Sequence, residues 1–271
     1  MTQPGPAFDI ARHRAWFEAF AEPFRQGGPE DVRRIDLKIK HSLLVLDKAS
    51  RLCERLDLDA HLSACARLAA LYHDLGRFPQ YQRYRTFRDP DSVNHALLGV
   101  RTVRAHGPLK DIDAKSRSLI CAAIMVHNRK SIPAHMRAKA GAPLAILAGI
   151  VRDADKLDII RVMLEHFSGE SEDAVVTLGL EPSPDRYLES VADCLIAGTI
   201  PSYRNLRYVN DMRLMLASWI FDLNFPASRE AFFAMGALDR LLDALPQTAR
   251  IEDIKTRILR ERPDASGQAA A

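Results

Sequence analysis

The sequence predicts an all-α protein. Apolar residues recur at intervals of three and four along most of the chain, and alternating strand-like patterns are almost absent. The periodic stretches are interrupted by Gly, Pro and polar clusters, which is where helices end. With 271 residues, 47% of them hydrophobic, there is enough apolar material for one large or two small domains.

The elements follow in order. A first helix is expected near 8–26, and a second near 30–57, where Leu43, Leu46, Ala49, Leu52, Cys53 and Leu56 share one stripe. A third, near 60–75, carries Leu68, Leu71, Tyr72 and Leu75 and runs into Gly76. The segment GRFPQYQRYRTFRDPDS, 76 to 92, reads as a long connection rich in arginine and aromatic residues, and long ordered connections are often functional. Further helices are expected near 94–106, 113–128 and 143–167, with Pro143 suited to a first turn and Gly141 and Gly169 to breaks. A second irregular stretch covers about 168–183. Helices near 184–198, 205–223, 228–244 and 249–260 complete the pattern, with Trp219, Phe221 and Phe225 expected in the core of a helical hairpin. Residues 262–271, RPDASGQAAA, read as a disordered tail. There is no internal repeat and no low-complexity block.

Bulk properties exclude several classes. With 38 basic and 35 acidic residues the net charge is +3, too mild to give a strong nucleic-acid signal. No apolar run approaches a membrane span of about 18 residues, and the first residues lack the pattern of a secretory signal. The four cysteines (53, 65, 121 and 194) are scattered and suit reduced core thiols in a cytoplasmic protein.

Of the nine histidines, four keep unusual company. His41 opens HSLLVLDKA inside an amphipathic helix, and His73 stands beside Asp74 where an apolar helix ends. His95 begins HALLGVRTV, and His127 ends LICAAIMVH. His61, His106, His135 and His166 are expected on the surface. The segment IVRDADKLDII places Asp153, Asp155 and Asp158 in an apolar helix, where an unpaired carboxylate would be costly and a cation is implied. Asp155 lies at the edge of the buried stripe, and Asp153, about 160° around the wheel, is expected to face solvent. Four imidazoles and two carboxylates suit manganese, iron, cobalt, nickel or zinc, whereas magnesium and calcium prefer all-oxygen sites. Six ligands exceed the needs of one tetrahedral ion, and a pair of ions bridged by one carboxylate accounts for the surplus. The long spacings do not by themselves establish convergence.

HDLGRF, NHALLG, VHNRKSIP and RDADKLD, in that order, resemble the HD-domain superfamily of metal-dependent phosphohydrolases. The resemblance covers roughly residues 35–165 in the order H…HD…H…H…D, here His41, His73-Asp74, His95, His127 and Asp155. It implies a helical HD-domain bundle as the catalytic core, placed over 30–168 and carrying nothing over beyond about 170; the helical pattern itself adds an N-terminal helical segment over 1–29 and a C-terminal helical extension over 169–261 packed on the core. By resemblance, His41, His73, Asp74 and Asp155 hold a first metal, Asp74 bridges to a second, and His95 and His127 match the extra histidines of the binuclear branch. It also favours Asp155, just before Lys156, over Asp153. Branches that hydrolyse guanosine tetraphosphate carry an acidic pair just after HD, where this chain has Leu75 and Gly76. The cyclic-di-GMP branch carries HH and GYP, where this chain reads HNRKSIP. Neither specialised activity is supported.

The implied reaction is hydrolysis of a phosphate mono- or diester by a metal-activated hydroxide, with Asp74 as catalytic residue and two divalent transition ions as cofactors, magnesium remaining compatible. The substrate is a small phosphorylated compound, a nucleotide among the candidates. Arg77, Arg129 and Lys130 are candidate phosphate contacts, although a solvated face or a helix-end cap explains each about equally well. Arg83, Arg85 and Arg88, interleaved with Tyr81, Tyr84 and Phe87, could stack on a base, but an ordinary surface loop accounts for them better. The alternatives are a di-iron HD-type oxygenase and a non-catalytic HD signalling module. The oligomeric state is left open.

Overall fold

The computed structural model describes residues 8–132, 142–169 and 179–263. These residues are helical throughout, with no strand among them beyond an isolated bridge between Glu181 and Tyr208. None of the helices is long and apolar enough to cross a membrane. The chain divides into two compact units, Met1–Asp158 and Ile159–Ala271. His135, most of the 168–183 stretch and all but two residues of the expected tail lie outside the described residues.

The first unit begins with α1 (Ile10–Ala21), capped by Asp9, whose carboxylate accepts from the backbone N–H groups of Ala11 and Arg12. α2 (Pro29–Arg55) starts with Pro29, Glu30 and Asp31, a helix-start composition that suits both the free N–H groups and the positive dipole end. Its buried residues Ile35, His41, Ser42, Val45, Leu46, Ala49, Leu52 and Cys53 keep the three-four spacing that the sequence displays. α3 (Ala60–Tyr72), capped by Asp59, is buried on every side over its last turns, because α1, α2 and α6 (Ala114–Val126) all pack against it. α5 (His95–His106), capped by Asn94, lies against α6 as an antiparallel partner. α7 (Ala142–Phe167) supplies its first seventeen residues to this unit.

Two expectations need correction here. The 76–92 connection contains a helix, α4 (Arg77–Tyr84), which buries Phe78, Gln80 and Tyr81. Its Pro79 sits in the first turn, where no intrahelical N–H bond is lost, so proline and the dense arginines masked a short amphipathic helix. Asp153 is not solvated: it is fully buried, as is Asp158. α7 is buried on more than one side here, with Ile150, Ala154 and Leu157 on one face and Arg152 on the opposite one. A wheel argument that assumes one wet face therefore fails on it.

α1 backs the turn that follows α3. Phe17 and Phe20 pack edge-on to Phe78, Trp16 packs against Tyr72, and the His13 ring nitrogen lies 2.8 Å from the Tyr72 hydroxyl. Tyr72 immediately precedes His73, so this aromatic cluster fixes the base of the turn. His13 is a satisfied core histidine.

The second unit contains the end of α7 and α8 (Glu189–Ile196), α9 (Val209–Ser218), α10 (Pro226–Ala234), α11 (Ala237–Leu242) and α12 (Ala249–Leu259). α9 is its central helix, flanked by α8 and α11, and α12 packs on α8 and α11. Buried Asp211 accepts from the backbone N–H groups of Leu188, Arg207 and Tyr208 at 2.7–2.9 Å. One carboxylate thereby ties the start of α9 to the preceding segment. The single helix expected at 228–244 is broken by Gly236, which adopts φ +65. Of the three aromatic residues expected in this core, Trp219 is buried, whereas Phe221 and Phe225 are only half-buried.

Candidate metal centre

The HD dipeptide does not sit inside a helix. α3 stops at Tyr72, residues 73–76 form a tight turn, and α4 begins at Arg77. The Leu75 N–H donates to Tyr72 O and the Arg77 N–H to Asp74 O, so His73 and Asp74 project from a turn rather than from successive positions of a helix. Gly76 is not required for an unusual φ, since it has φ −68. It is required for space: a Cβ there would lie 2.2 Å from His95 O and 2.5 Å from Gly99 N. The absence of a side chain lets the turn dock directly on the first turn of α5.

All six expected side chains converge. His41 from α2, His73 from the turn and Asp155 from α7 bring ligand atoms within 4.8 Å of one another, as do His73, Asp74 and His127. The His41 Nε2 is 3.1 Å from Asp155 Oδ1 and 3.3 Å from the His73 Nε2. The His95 Nε2 is 3.1 Å from the His127 Nε2 and 3.4 Å from Asp74 Oδ1. Asp74 therefore stands between two histidine pairs, facing His41 and His73 with one oxygen and His95 and His127 with the other.

Each ring is held by its other nitrogen. The His73 Nδ1–H donates to Ala70 O and the His127 Nδ1–H to Ile124 O, both at 2.7 Å and both to the carbonyl three residues back. The His41 Nδ1–H donates to Asp158 at 2.8 Å, and the His95 Nδ1–H to Asp89 at 2.7 Å. With Nδ1 donating to a carbonyl or carboxylate in every ring, the four Nε2 atoms are left facing one another and two carboxylates. That arrangement is repulsive unless a cation lies among them, and it is the donor set that divalent transition ions favour. The residues present thus fit one or more divalent metals.

The electrostatics agree. Burial lowers the His127 imidazole to about 3, helped by the neighbouring histidines. Burial and the charge of Arg77 lower His95 as well. Burial also opposes charge on His41, yet its bonds to Asp155 and Asp158 outweigh that and raise it. The enclosed surroundings of Asp74 and of half-buried Asp155 favour the neutral acids, but their cationic and imidazole neighbours overcome this and hold both far below the usual carboxylate range.

Several neighbours gave no warning in the sequence. Lys38, one turn before His41, places Nζ 2.9 Å from Asp74 Oδ2. Lys48 bonds Asp158 at 3.1 Å. Asp89, from the segment read as a loop, receives His95, Arg77 and Gln80, and its carboxyl lies at about 2 because those donors outweigh its partial burial. Arg152 donates to the carbonyls of His127, Arg129 and Lys130 and so fixes the turn after α6. The only advance signals were helical spacing, Lys38 three before His41 and Asp158 three after Asp155.

The candidate phosphate contacts divide. Arg77 reaches the cluster, 3.3 Å from Asp74 Oδ1 and 3.0 Å from Asp89 Oδ1. Arg129 and Lys130 are exposed in the turn after His127, and no side-chain bond joins either to the six among the described residues. Arg83, Arg85 and Arg88 are exposed; Arg85 pairs with Asp31 and Arg88 with Asp91. His61 and His106 are exposed as expected, while His166 is half-buried.

Residues 39–160 match the family model of the HD domain. The chain carries an HD domain. All six converging residues fall inside the matched segment, which runs from α2 into α7. HD domains are typical of metal-dependent phosphohydrolases, and some are non-catalytic. No curated protein and no solved structure matched the chain.

The carboxylate behind His95 makes a direct prediction. Asp89→Asn removes the charged acceptor that orients the ring and raises its basicity, which typically lowers metal affinity by about 10–100-fold. Metal titration should show that loss, and unchanged affinity would remove His95 from the ligand set.

Proposed function

We propose that this HD domain is a binuclear phosphohydrolase acting on a small phosphorylated compound, with nucleotides the first class to test. The observation that supports it most is the pair of histidine pairs on either side of Asp74, with Lys38 and Arg77 beside the shared carboxylate. His41, His73, Asp74 and Asp155 would hold one ion, and His95, His127 and Asp74 the other. When bound, the ions would supply Lewis acidity toward a phosphoryl oxygen and lower the pKa of an attacking water.

The chain's own residues do the rest. Asp74 fixes the two halves of the centre at one spacing. Arg77, whose Nε and Nη1 are held by Asp74, Gln80, the Phe87 carbonyl and Asp89, has Nη2 left to donate to a phosphate oxygen, and Lys38 presents a point charge on the other oxygen of Asp74. Arg129 and Lys130, on the exposed turn, would meet the outer part of the substrate. The buried rings leave little room for bulk water around the reacting phosphate, which strengthens each of these charges.

The test is metal analysis of the purified chain, then a phosphate-release screen over nucleotides with each divalent ion. Two ions per chain and metal-dependent release are expected. Two irons with oxygen uptake and no phosphate release would reject the proposal in favour of an oxygenase, and absence of bound metal would leave a binding module.

Metal affinity should also fall as pH falls, beginning above the ordinary histidine range near 6.5. His41 has its pKa raised, so it keeps a competing proton to higher pH than a free imidazole would. His127, at about 3, offers no competition anywhere between pH 5 and 8. Each proton displaced on binding costs up to about tenfold in affinity per pH unit. Metal titrations at three values between pH 5.5 and 8 measure the slope, and a flat profile would exclude His41 as a ligand.

A further inference from the structure

The α5–α6 pair holds a second feature at the end remote from His95 and His127. A cavity of about 250 Å³ opens there between Val103 and Arg104 of α5, Lys110 of the connecting turn, and Arg117, Ser118 and Cys121 of α6. Val103 and Cys121 are buried and form an apolar floor. Arg104, Lys110 and Ser118 are exposed at the mouth, and Arg117 is half-buried. Val103 is eight residues along α5 from His95, roughly 12 Å at the helical rise, so the cavity is separate from the metal centre.

Its charge is unbalanced. None of Arg104, Lys110 and Arg117 forms an ion pair with a carboxylate among the described residues. The nearest acids are already engaged. Asp111 pairs with Arg12 at 2.5 Å, and Asp113 caps α6 by accepting from the N–H groups of Lys115 and Ser116. Arg117 makes one long bond, 3.4 Å, to Ile112 O. Three cations held around one concavity repel one another, and an anion seated between them would relieve that repulsion.

We propose that this cavity is a binding site for a small compound carrying two linked phosphate groups, distinct from the metal centre. A single phosphate carries a charge of about −1.5 to −2, which leaves three cations under-neutralised; a diphosphate matches them. The two guanidiniums can each take a pair of oxygens, Lys110 supplies a mobile charge, and the Ser118 hydroxyl donates to a further oxygen. The volume is at the small end for ligand pockets, so a compact polyanion fits and a large apolar ligand does not.

The test uses the full chain with its metal as purified and inorganic pyrophosphate as probe. Amide hydrogen exchange gives a local readout, and calorimetry gives affinity. Pyrophosphate should slow exchange over residues 107–118, and R104Q/R117Q should abolish that protection and weaken the corresponding affinity at least tenfold. K110Q, on an exposed turn where the fold is indifferent to it, should weaken the affinity about threefold and decides the matter should the double variant fail to fold. Protection confined to the metal-centre segment 70–77, or protection over 107–118 that survives the substitutions undiminished, would overturn the proposal.

Discussion

Asp74→Asn is expected to strip the chain of at least one ion and to reduce phosphate release on the order of 10²-fold or more. The magnitude follows from comparison: partners that merely orient a ligand are worth about 10–100-fold, and Asp74 faces both histidine pairs directly. A second cost comes from the cations. Lys38 and Arg77 are largely buried against this carboxylate, 2.9 and 3.3 Å away. Removing one partner from such a cluster destabilises by about 3 kcal/mol, because the remaining charges lose their compensation. Metal content, phosphate release and a thermal melt measure the three effects. A variant with full metal and full turnover would refute the assignment of Asp74.

Gly76→Ala is expected to be nearly as damaging, although no ligand is touched. The backbone at Gly76 is ordinary, φ −68 and ψ −16, so alanine there would on propensity alone stabilise by up to about 1 kcal/mol. The sign reverses because the new methyl would meet His95 O at 2.2 Å and Gly99 N at 2.5 Å, backbone atoms that cannot rotate away. α5 must retreat from the turn, and His95 retreats with it. A displacement of about 1 Å can cost 10²-fold in rate. Gly28→Ala provides the control, since nothing lies within 4 Å of a Cβ there. A G76A chain with the melting temperature and activity of that control would show that the close approach is unimportant.

The sequence disclosed the convergent residues and missed their supports, for a physical reason. Histidine and aspartate are rare at apolar helix ends, because burying them unpaired is costly, so His41, His73, His95, His127 and Asp155 stood out. Lys38, Lys48 and Asp89 are common residue types on ordinary-looking segments. Their roles depend on partners brought close only by folding: Lys48 meets Asp158 across 110 positions of chain. The aspartates of α7 were separable only with the burial of that helix known. Asp153 is the deeper of the two, yet it is the half-buried Asp155 that meets the His41 ring, a difference of partner that no wheel reveals. α4 was hidden by Pro79 and a cluster of arginines, yet it positions Arg77, and the segment after it delivers Asp89 to His95.

The ring supports have one more consequence. His73 follows α3 and His127 follows α6, and each is fixed by the same local device, a bond to the carbonyl three residues earlier. Each is paired with a histidine backed by its own carboxylate, Asp158 for His41 and Asp89 for His95. The centre is therefore assembled from two supported histidine pairs that meet at Asp74, with His73 also lying against His127. Such a construction is divisible in its supports. Substituting His95 and His127 would leave His41 on Asp158 and His73 on the Ala70 carbonyl, so the supports of that half do not depend on the other pair.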